Sequence, residues 1–356
     1  MKRYIGLDVH AVSCTLAVIS QAGKRLKDFP VETNGQALVE AIRMIPGHKH
    51  LVFEEGLQSA WLYETLSPHV DETVVAGITE SRGQKDDRRD AYGLAEKLRR
   101  GALEKRIFKA PRQFSVLREL SRIHITAAHD LVRVQSRIKS LYRSRGIGVP
   151  GGSVYSARHR EQWQERLPGS VQMRAMRLYE QFDFLAEQKK QAERDLLGEA
   201  RKHPIVRMLE TAPGFGPIRS ARLVPIVVTP HRFRTKRQFW SYCGLGIVMR
   251  SSSDWVQTPD GGWIRAPIQQ TRGLSRQYNR VLKDIFKGAA TTVITQQNKD
   301  AIYADYRSML DSGIKPSLAK LTLARKIAAT VLRMWKDEEE YQPGRYRRPR
   351  DTDREA

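Results

Sequence analysis

Apolar and polar positions change their period along this chain, and the changes divide it. Short β-rich runs dominate the first eighty residues. YIGLDV (4–9), CTLAVI (14–19), RLKDFPVE (25–32, after a turn at Gly23), HLVFEE (50–55) and ETVVAG (72–77) predict five strands. Helical spacing lies between them in GQALVEAIRMI (35–45) and SAWLYETL (59–66), and DAYGLAEKLRRGAL (90–103) closes the segment as a helix.

Three consecutive strands followed by alternating helix and strand predict an α/β domain over 1–108 with an RNase H-like mixed sheet. The period then lengthens. Phe114, Leu117, Leu120, Ile123, Ala127, Leu131, Val134, Ile138 and Leu141 recur at three- and four-residue steps, predicting one helix from Pro111 to about Arg145. GIGVPGGS (146–153) breaks it. A second long helix is predicted over about 171–202, with Met173, Met176, Leu178, Phe182, Phe184 and Leu185 in its first half and mostly charged residues in its second. The pair (109–203) reads as an antiparallel coiled-coil arm for dimerisation, or equally as a bundle packed on its own domain. From Pro204 to about Trp335 short helices alternate with Gly- and Pro-rich turns, predicting a mainly helical C-terminal domain over 204–336. The basic, aromatic-poor stretch 337–356 reads as a disordered tail.

Charge narrows the function. The 356 residues carry a formal net charge of +23, which favours a polyanionic partner. Cys14 and Cys243 are the only cysteines, so zinc ribbons and disulfide frameworks are excluded and a reducing cytoplasm fits. Asp8 and His10 interrupt the apolar N-terminus, no cleavage site follows, and no apolar run approaches membrane-spanning length. A cytoplasmic protein with no membrane partner is expected.

Acids placed among the bases need an explanation. Strand alternation sets Ile5 and Leu7 on one face of the first strand and Gly6 and Asp8 on the other. Glu54 ends the fourth strand, which neighbours the first in an RNase H-like sheet, and Glu55 turns the other way. In QKDDRRDA (84–91), Asp87 and Asp90 share one helix face. Four converging carboxylates repel unless cations hold them. Two Mg²⁺ ions about 3.5–4 Å apart, with Mn²⁺ as an alternative, are the usual arrangement for phosphodiester transfer. Lys85, Arg88 and Arg89 then bind phosphate beside the metal. Taken alone, the octet also reads as a helix N-terminus capped by Asp86 or Asp87.

Two further stretches carry phosphate chemistry. TAPGFGPIRSARLV (211–224) after the helical PIVRMLE (204–210) has the form of a helix-hairpin-helix. There Gly214 and Gly216 allow close backbone approach, and Arg219 and Arg222 add charge. FWSYCGLGIVMRSSSDW (239–255) sets Arg250 before three serines, each a nucleophile toward phosphorus if deprotonated, or simply a polar loop. RGLSRQYNRVLKDIFKGAA (272–290) reads as a helix with Arg272, Arg276 and Arg280 facing phosphate or solvent.

In this order, GLDVH, FEEG…WLY, K-x-D-R-R-D-A, the APGFGP hairpin and YCGLG…RSSSDW resemble the DEDD transposases of bacterial insertion sequences. Relatives of that family are the Piv-type DNA invertases and the bridge-RNA-guided recombinases. The resemblance spans about residues 4–290. It implies an N-terminal RuvC-like domain, a coiled-coil arm and a C-terminal transposase domain with a reactive serine. Carried over by position, the metal-binding tetrad is Asp8, Glu54, Asp87 and Asp90. The nucleophile is Ser252, followed by Ser253 where the family has glycine, which leaves Ser251 as an alternative. The resemblance further implies a covalent phosphoserine intermediate, a homo-oligomer (dimer or tetramer), and a structured non-coding RNA that pairs with donor and target DNA. Tail arginines 345, 347, 348 and 350 suit an RNA scaffold or duplex DNA alike. A Holliday-junction-resolvase-like nuclease using water and a non-enzymatic nucleic-acid-binding protein are the competing readings.

Overall fold

The computed structural model describes residues 1–77, 86–109, 112–249, 255–265, 271–275, 277–296 and 301–343. The chain forms two compact units, Met1–Gln113 and Phe114–Ala356.

The first unit is a six-stranded mixed sheet with helices on both faces. Its elements are β1 (Lys2–Val9), β2 (Ser13–Ser20), β3 (Arg25–Glu32), α1 (Gly35–Arg43), β4 (His48–Glu54), α2 (Ser59–Leu66), β5 (Glu72–Ala76), α3 (Asp87–Arg99) and β6 (Arg106–Ile107). The strand order is β3-β2-β1-β4-β5-β6. β1, β2 and β3 form an antiparallel meander, whereas β4 runs parallel to β1 and to β5. The expected juxtaposition of first and fourth strands is therefore present. The architecture is consistent with an RNase H-like transposase fold. The short β6, antiparallel to β5, was not foreseen from the sequence.

Alternation along β1 decides which helix meets which residue. Ile5 and Leu7 are fully buried with Leu38, Ile42, Leu62 and Leu66 of α1 and α2. The opposite face carries Ala17, Ile19 and Val52 against Ala91, Ala95, Leu94 and Leu98 of α3. Gly6 lies on that second face, where an added Cβ would run into the Ala91 carbonyl and the Ala95 amide. Glycine at this point lets α3 lie directly on the centre of the sheet.

The second unit is helical: α4 (Ser115–Arg143), α5 (Arg160–Glu165), α6 (Gly169–Ala200), α7 (Pro204–Glu210), α8 (Pro217–Val227), α9 (Lys236–Tyr242), α10 (Arg280–Gln296), α11 (Ala301–Asp311) and α12 (Pro316–Asp337), with short strands β7 (Ile247–Met249), β8 (Trp255–Gln257), β9 (Trp263–Arg265) and β10 (Thr271–Leu274). The helices α4 and α6 pack on each other around Val134, Ile138, Leu141, Tyr142, Val171, Ala175 and Tyr179. The buried hydroxyls of Tyr142 and Tyr179 share a 2.9 Å hydrogen bond.

Two expectations from periodicity are corrected here. In the first half of α4 the buried positions are Leu117, Ser121 and His124, whereas Ile123 is exposed. The cause is α8, which packs on α4 and delivers the Arg222 guanidinium to His124. In α6, Met173, Met176 and Phe184 are exposed and the small residue Ala175 is buried, because small and aromatic side chains fill the close approach to α4.

Candidate active site

The site starts where two elements end on the α3 face of the sheet. β1 delivers Asp8 at its C-terminal end, on the same face as Gly6. α3 begins there too. Asp86 caps it, its carboxylate accepting from the Arg88 amide at 3.0 Å and its carbonyl from the Asp90 amide at 2.9 Å. The capping reading of the octet is thus right for Asp86, and it leaves Asp87 and Asp90 in the first turn. Carboxylates in that turn also gain from the helix dipole.

Asp8 and Asp87 meet through a residue that sequence reasoning did not select. The His10 Nε2 lies 3.1 Å from Asp8 Oδ2 and 3.3 Å from Asp87 Oδ1. Donor atoms of Asp8, His10 and Asp87 all fall within 4.8 Å of one another. The signal was available, since His10 stands two residues beyond Asp8 and alternation keeps i and i+2 on one side. The Asp8 carboxyl is pushed above the usual carboxylate range, first by burial. The charges of Asp87 and Asp90 act in the same sense, and His10 opposes them. A cation would relieve the repulsion among these carboxylates, and their oxygens are the ligand type that hard divalent ions take.

Glu54 reaches the same face by a different route. Leu7 pairs with Phe53, so Asp8 and Glu54 are the next residues on adjacent parallel strands. Val52, two residues earlier, packs under α3. Glu54 lines a pocket with Leu94, Lys97, Glu104 and Lys105. Among the described residues it does not join the close Asp8–His10–Asp87 group. Its neighbour Glu55 is turned away, as alternation predicts. The Glu55 amide donates to the Ala76 carbonyl at 2.8 Å, and its carboxylate holds the largely buried Lys109 Nζ at 2.7 Å. Lys109 also donates to Ser59 Oγ at 2.8 Å.

The expected phosphate contacts divide into three groups. Arg88 and Arg89 are exposed on the first turn of α3, with Arg88 Nε 3.2 Å from Asp28. Lys85, Arg250, Ser251, Ser252, Ser253 and Arg276 lie outside the described residues, as do the tail arginines. Arg219 and Arg222 are half-buried, and each makes hydrogen bonds within its own unit. Arg219 donates to the Gly214 carbonyl at 2.6 Å and to Thr292 Oγ1 at 3.0 Å, and Arg222 to His124 Nδ1 at 3.2 Å.

The turn between α7 and α8 follows the same logic. Gly214 has φ +70°, and a Cβ there would collide with the Ala289 carbonyl of α10, so this glycine seats the turn on α10. Gly216 is the N-cap of α8, extended and open, with Pro217 behind it. The helix predicted from Arg272 is corrected. Arg272 lies on β10, Gly273 has φ +74°, and α10 begins only at Arg280, with the Asn279 side chain accepting from the Leu282 amide at 3.1 Å. A residue with positive φ does not belong in an α-helix.

Residues 5–144 match the model of the DEDD transposase domain of the IS110 family. Residues 206–263 match a second model, the transposase IS116/IS110/IS902 family. A comparison with curated proteins finds no significant match. The two family matches together cover more than half of the chain and make it a transposase, an enzyme acting on DNA. More particularly, it carries the IS110-family DEDD transposase domains. The DEDD assignment points to divalent-metal use. No helix among the described residues is long and apolar enough to cross a membrane.

Proposed function

We propose that this transposase cuts and rejoins DNA at insertion-element ends by metal-dependent transfer of a phosphodiester to Ser252. Asp8, Glu54, Asp87 and Asp90 form the metal site. The observation that carries the reading is the convergence of Asp8 and Asp87 within a matched DEDD domain. Asp90 lies close enough for its charge to raise the Asp8 carboxyl, and Glu54 ends the strand beside Asp8.

The division of labour follows from chemistry. When bound, a pair of divalent ions stabilises charge on the attacking and leaving oxygens of an in-line displacement. Asp8 and Asp87 supply carboxylate oxygens from two separately anchored elements, and His10 holds both in one orientation. Arg88 and Arg89 neutralise flanking phosphates. Ser252 gives up its hydroxyl proton as its Oγ bonds to phosphorus, and the P–O bond to the departing deoxyribose oxygen breaks as that oxygen takes up a proton. Attack by a deoxyribose hydroxyl of another strand reverses the exchange and frees the serine, so no external energy source is required. The α7–α8 turn serves as a helix-hairpin-helix that holds duplex backbone through the amides after Gly216. A homo-oligomer and a structured guide RNA complete the assembly, and the large positive charge supports a nucleic-acid scaffold.

A denaturing gel tests this reading. Purified protein with co-purified RNA, Mg²⁺ and labelled donor-end DNA is compared with Ser252→Ala, Ser251→Ala, Asp87→Asn, Glu54→Gln and Glu55→Gln. The expected result is a protease-sensitive DNA–protein adduct that survives SDS and disappears in Ser252→Ala. Asp87→Asn and Glu54→Gln should lower its yield by about 10³-fold, and Glu55→Gln should retain it. Cleavage without any adduct means a hydrolytic nuclease and overturns the serine assignment.

A further inference from the structure

β4 ends where the site begins, and its last residues are held by a lysine that no step above uses. Pairing with β1 stops at Leu7–Phe53 and pairing with β5 at Glu54–Ala76, so Glu54 is the last residue of the ladder. Only the bond from the Glu55 amide to the Ala76 carbonyl follows, and the loop 56–58 then leads into α2. The Lys109 ammonium is placed on this corner. Its Nζ lies 2.8 Å and 2.7 Å from the two Glu55 carboxylate oxygens and donates to Ser59 Oγ at 2.8 Å. Ser59 is itself 2% exposed, and its hydroxyl donates to the Gly56 carbonyl at 2.7 Å. One cation thus ties together the end of β4, the loop after it and the first residue of α2.

A largely buried ammonium is a weak source of stability. The Lys109 side chain is 12% exposed, and desolvation offsets most of what its pairing gains. Nor is it a phosphate contact, because three oxygen acceptors occupy its three N–H bonds. What it supplies is direction. Three charge-assisted bonds from one nitrogen hold the Glu55 carboxylate and the Ser59 hydroxyl in a single arrangement at a strand end that has run out of ladder partners. Alternation transmits that constraint. With Glu55 fixed on one side, Glu54 is directed to the other, where it lies beside Leu94 and Lys97 of α3. Glu54 depends on such a constraint, since it stands outside the close Asp8–His10–Asp87 group.

We propose that Lys109 is a positioning residue of the metal site, holding the end of β4 through Glu55 and Ser59 so that Glu54 faces the divalent ions. The proposal rests on the reading that Asp8, Glu54, Asp87 and Asp90 bind metal. Lys109 itself touches neither metal nor DNA. Glu55→Gln keeps an oxygen acceptor for the ammonium, so the adduct is expected to survive that change.

Calorimetric titration of Mn²⁺ into the full chain without DNA tests this, with thermal unfolding followed on the same samples. Wild type is compared with Lys109→Met, Lys109→Arg, Ser59→Ala, His50→Ala, Glu54→Gln and Asp87→Asn. His50→Ala removes a 2.9 Å contact to Glu72 earlier on the same strand and stands for lost stability alone. Lys109→Met should weaken Mn²⁺ binding about tenfold. Lys109→Arg, which keeps the cation, should recover most of the affinity, and His50→Ala should bind as wild type. If Lys109→Met does not fold, Ser59→Ala decides in its place, with a smaller shift in the same direction expected because only one of the three contacts is lost. The proposal is overturned if the deciding variant binds Mn²⁺ as wild type does, or if His50→Ala weakens binding equally. Glu54→Gln and Asp87→Asn separate it from the functional reading. A loss in those two without one in the deciding variant sinks this proposal alone, whereas wild-type affinity in both sinks the metal-site reading and this proposal with it.

Discussion

His10 in the first unit and His124 in the second each stand between elements, and their settings are opposites. His10, about half exposed, bridges the carboxylates of Asp8 and Asp87 at a strand end. His124, 1% exposed, lies inside the helical unit beneath an arginine. There Arg222 donates to Nδ1, so the proton of the neutral ring sits on Nε2, 3.6 Å from Glu193. Burial, and then the Arg222 charge, bring the His124 pKa down to about 4. The lesson is that neighbours assign the role. A histidine among acids at a solvent-facing strand end organises charge, and a histidine under a buried guanidinium is a neutral acceptor that lets α8 pack on α4.

Three experiments break or sharpen that contrast. The largest effect is expected from Gly6→Ala, which removes the contact that places the first histidine's partners. The new methyl meets the Ala91 carbonyl, and α3 must lift from the sheet. A loss of about 3 kcal/mol or more is expected in denaturant unfolding, with DNA cleavage lost as Asp87 leaves Asp8. Unchanged stability would mean that α3 does not rest on β1.

Acid reads the second histidine. Between pH 6.5 and about 4 the unfolded chain binds a proton at residue 124 that the folded chain refuses. Stability is therefore unaffected above this window and falls as pH drops through it, by on the order of 3 kcal/mol. Unfolding curves taken across the window should show this slope, and His124→Gln, which keeps an acceptor for Arg222, should flatten it. A slope that persists in the variant would place the titrating group elsewhere.

The smallest effect is expected at His10. His10→Ala leaves both carboxylates in place but removes the group that orients them, so cleavage should fall about 10- to 100-fold. Thermal unfolding should not change, because the ring is half exposed. A loss as large as that of Asp87→Asn would make His10 a ligand and not a positioning residue.

Much of this molecule was legible in its residues. Period-two runs located five strands of the first unit to within a few residues, and the alternation in YIGLDV and HLVFEE already separated Gly6, Asp8 and Glu54 from Ile5, Leu7 and Glu55. Those features are local: a strand's side chains alternate whatever lies beyond it. The helical unit was less legible. Ile123 looks like a core position by spacing and His124 does not, yet the reverse is found, because Arg222 arrives from nearly a hundred residues away. The internal partners of Arg219 and Arg222 were hidden for the same reason that Arg272 looks helical. Local composition carries no record of Thr292, His124 or the positive φ of Gly273. The sequence by itself determined the strands, the faces of the acids and the charge that marks a nucleic-acid enzyme, since these depend on backbone period and side-chain type. Only the tertiary structure decided that His10 joins Asp8 to Asp87, that Glu54 stands apart from that close group, and that Arg219 and Arg222 hydrogen-bond to Gly214, Thr292 and His124. Each of those outcomes depends on which distant segment supplies the neighbour.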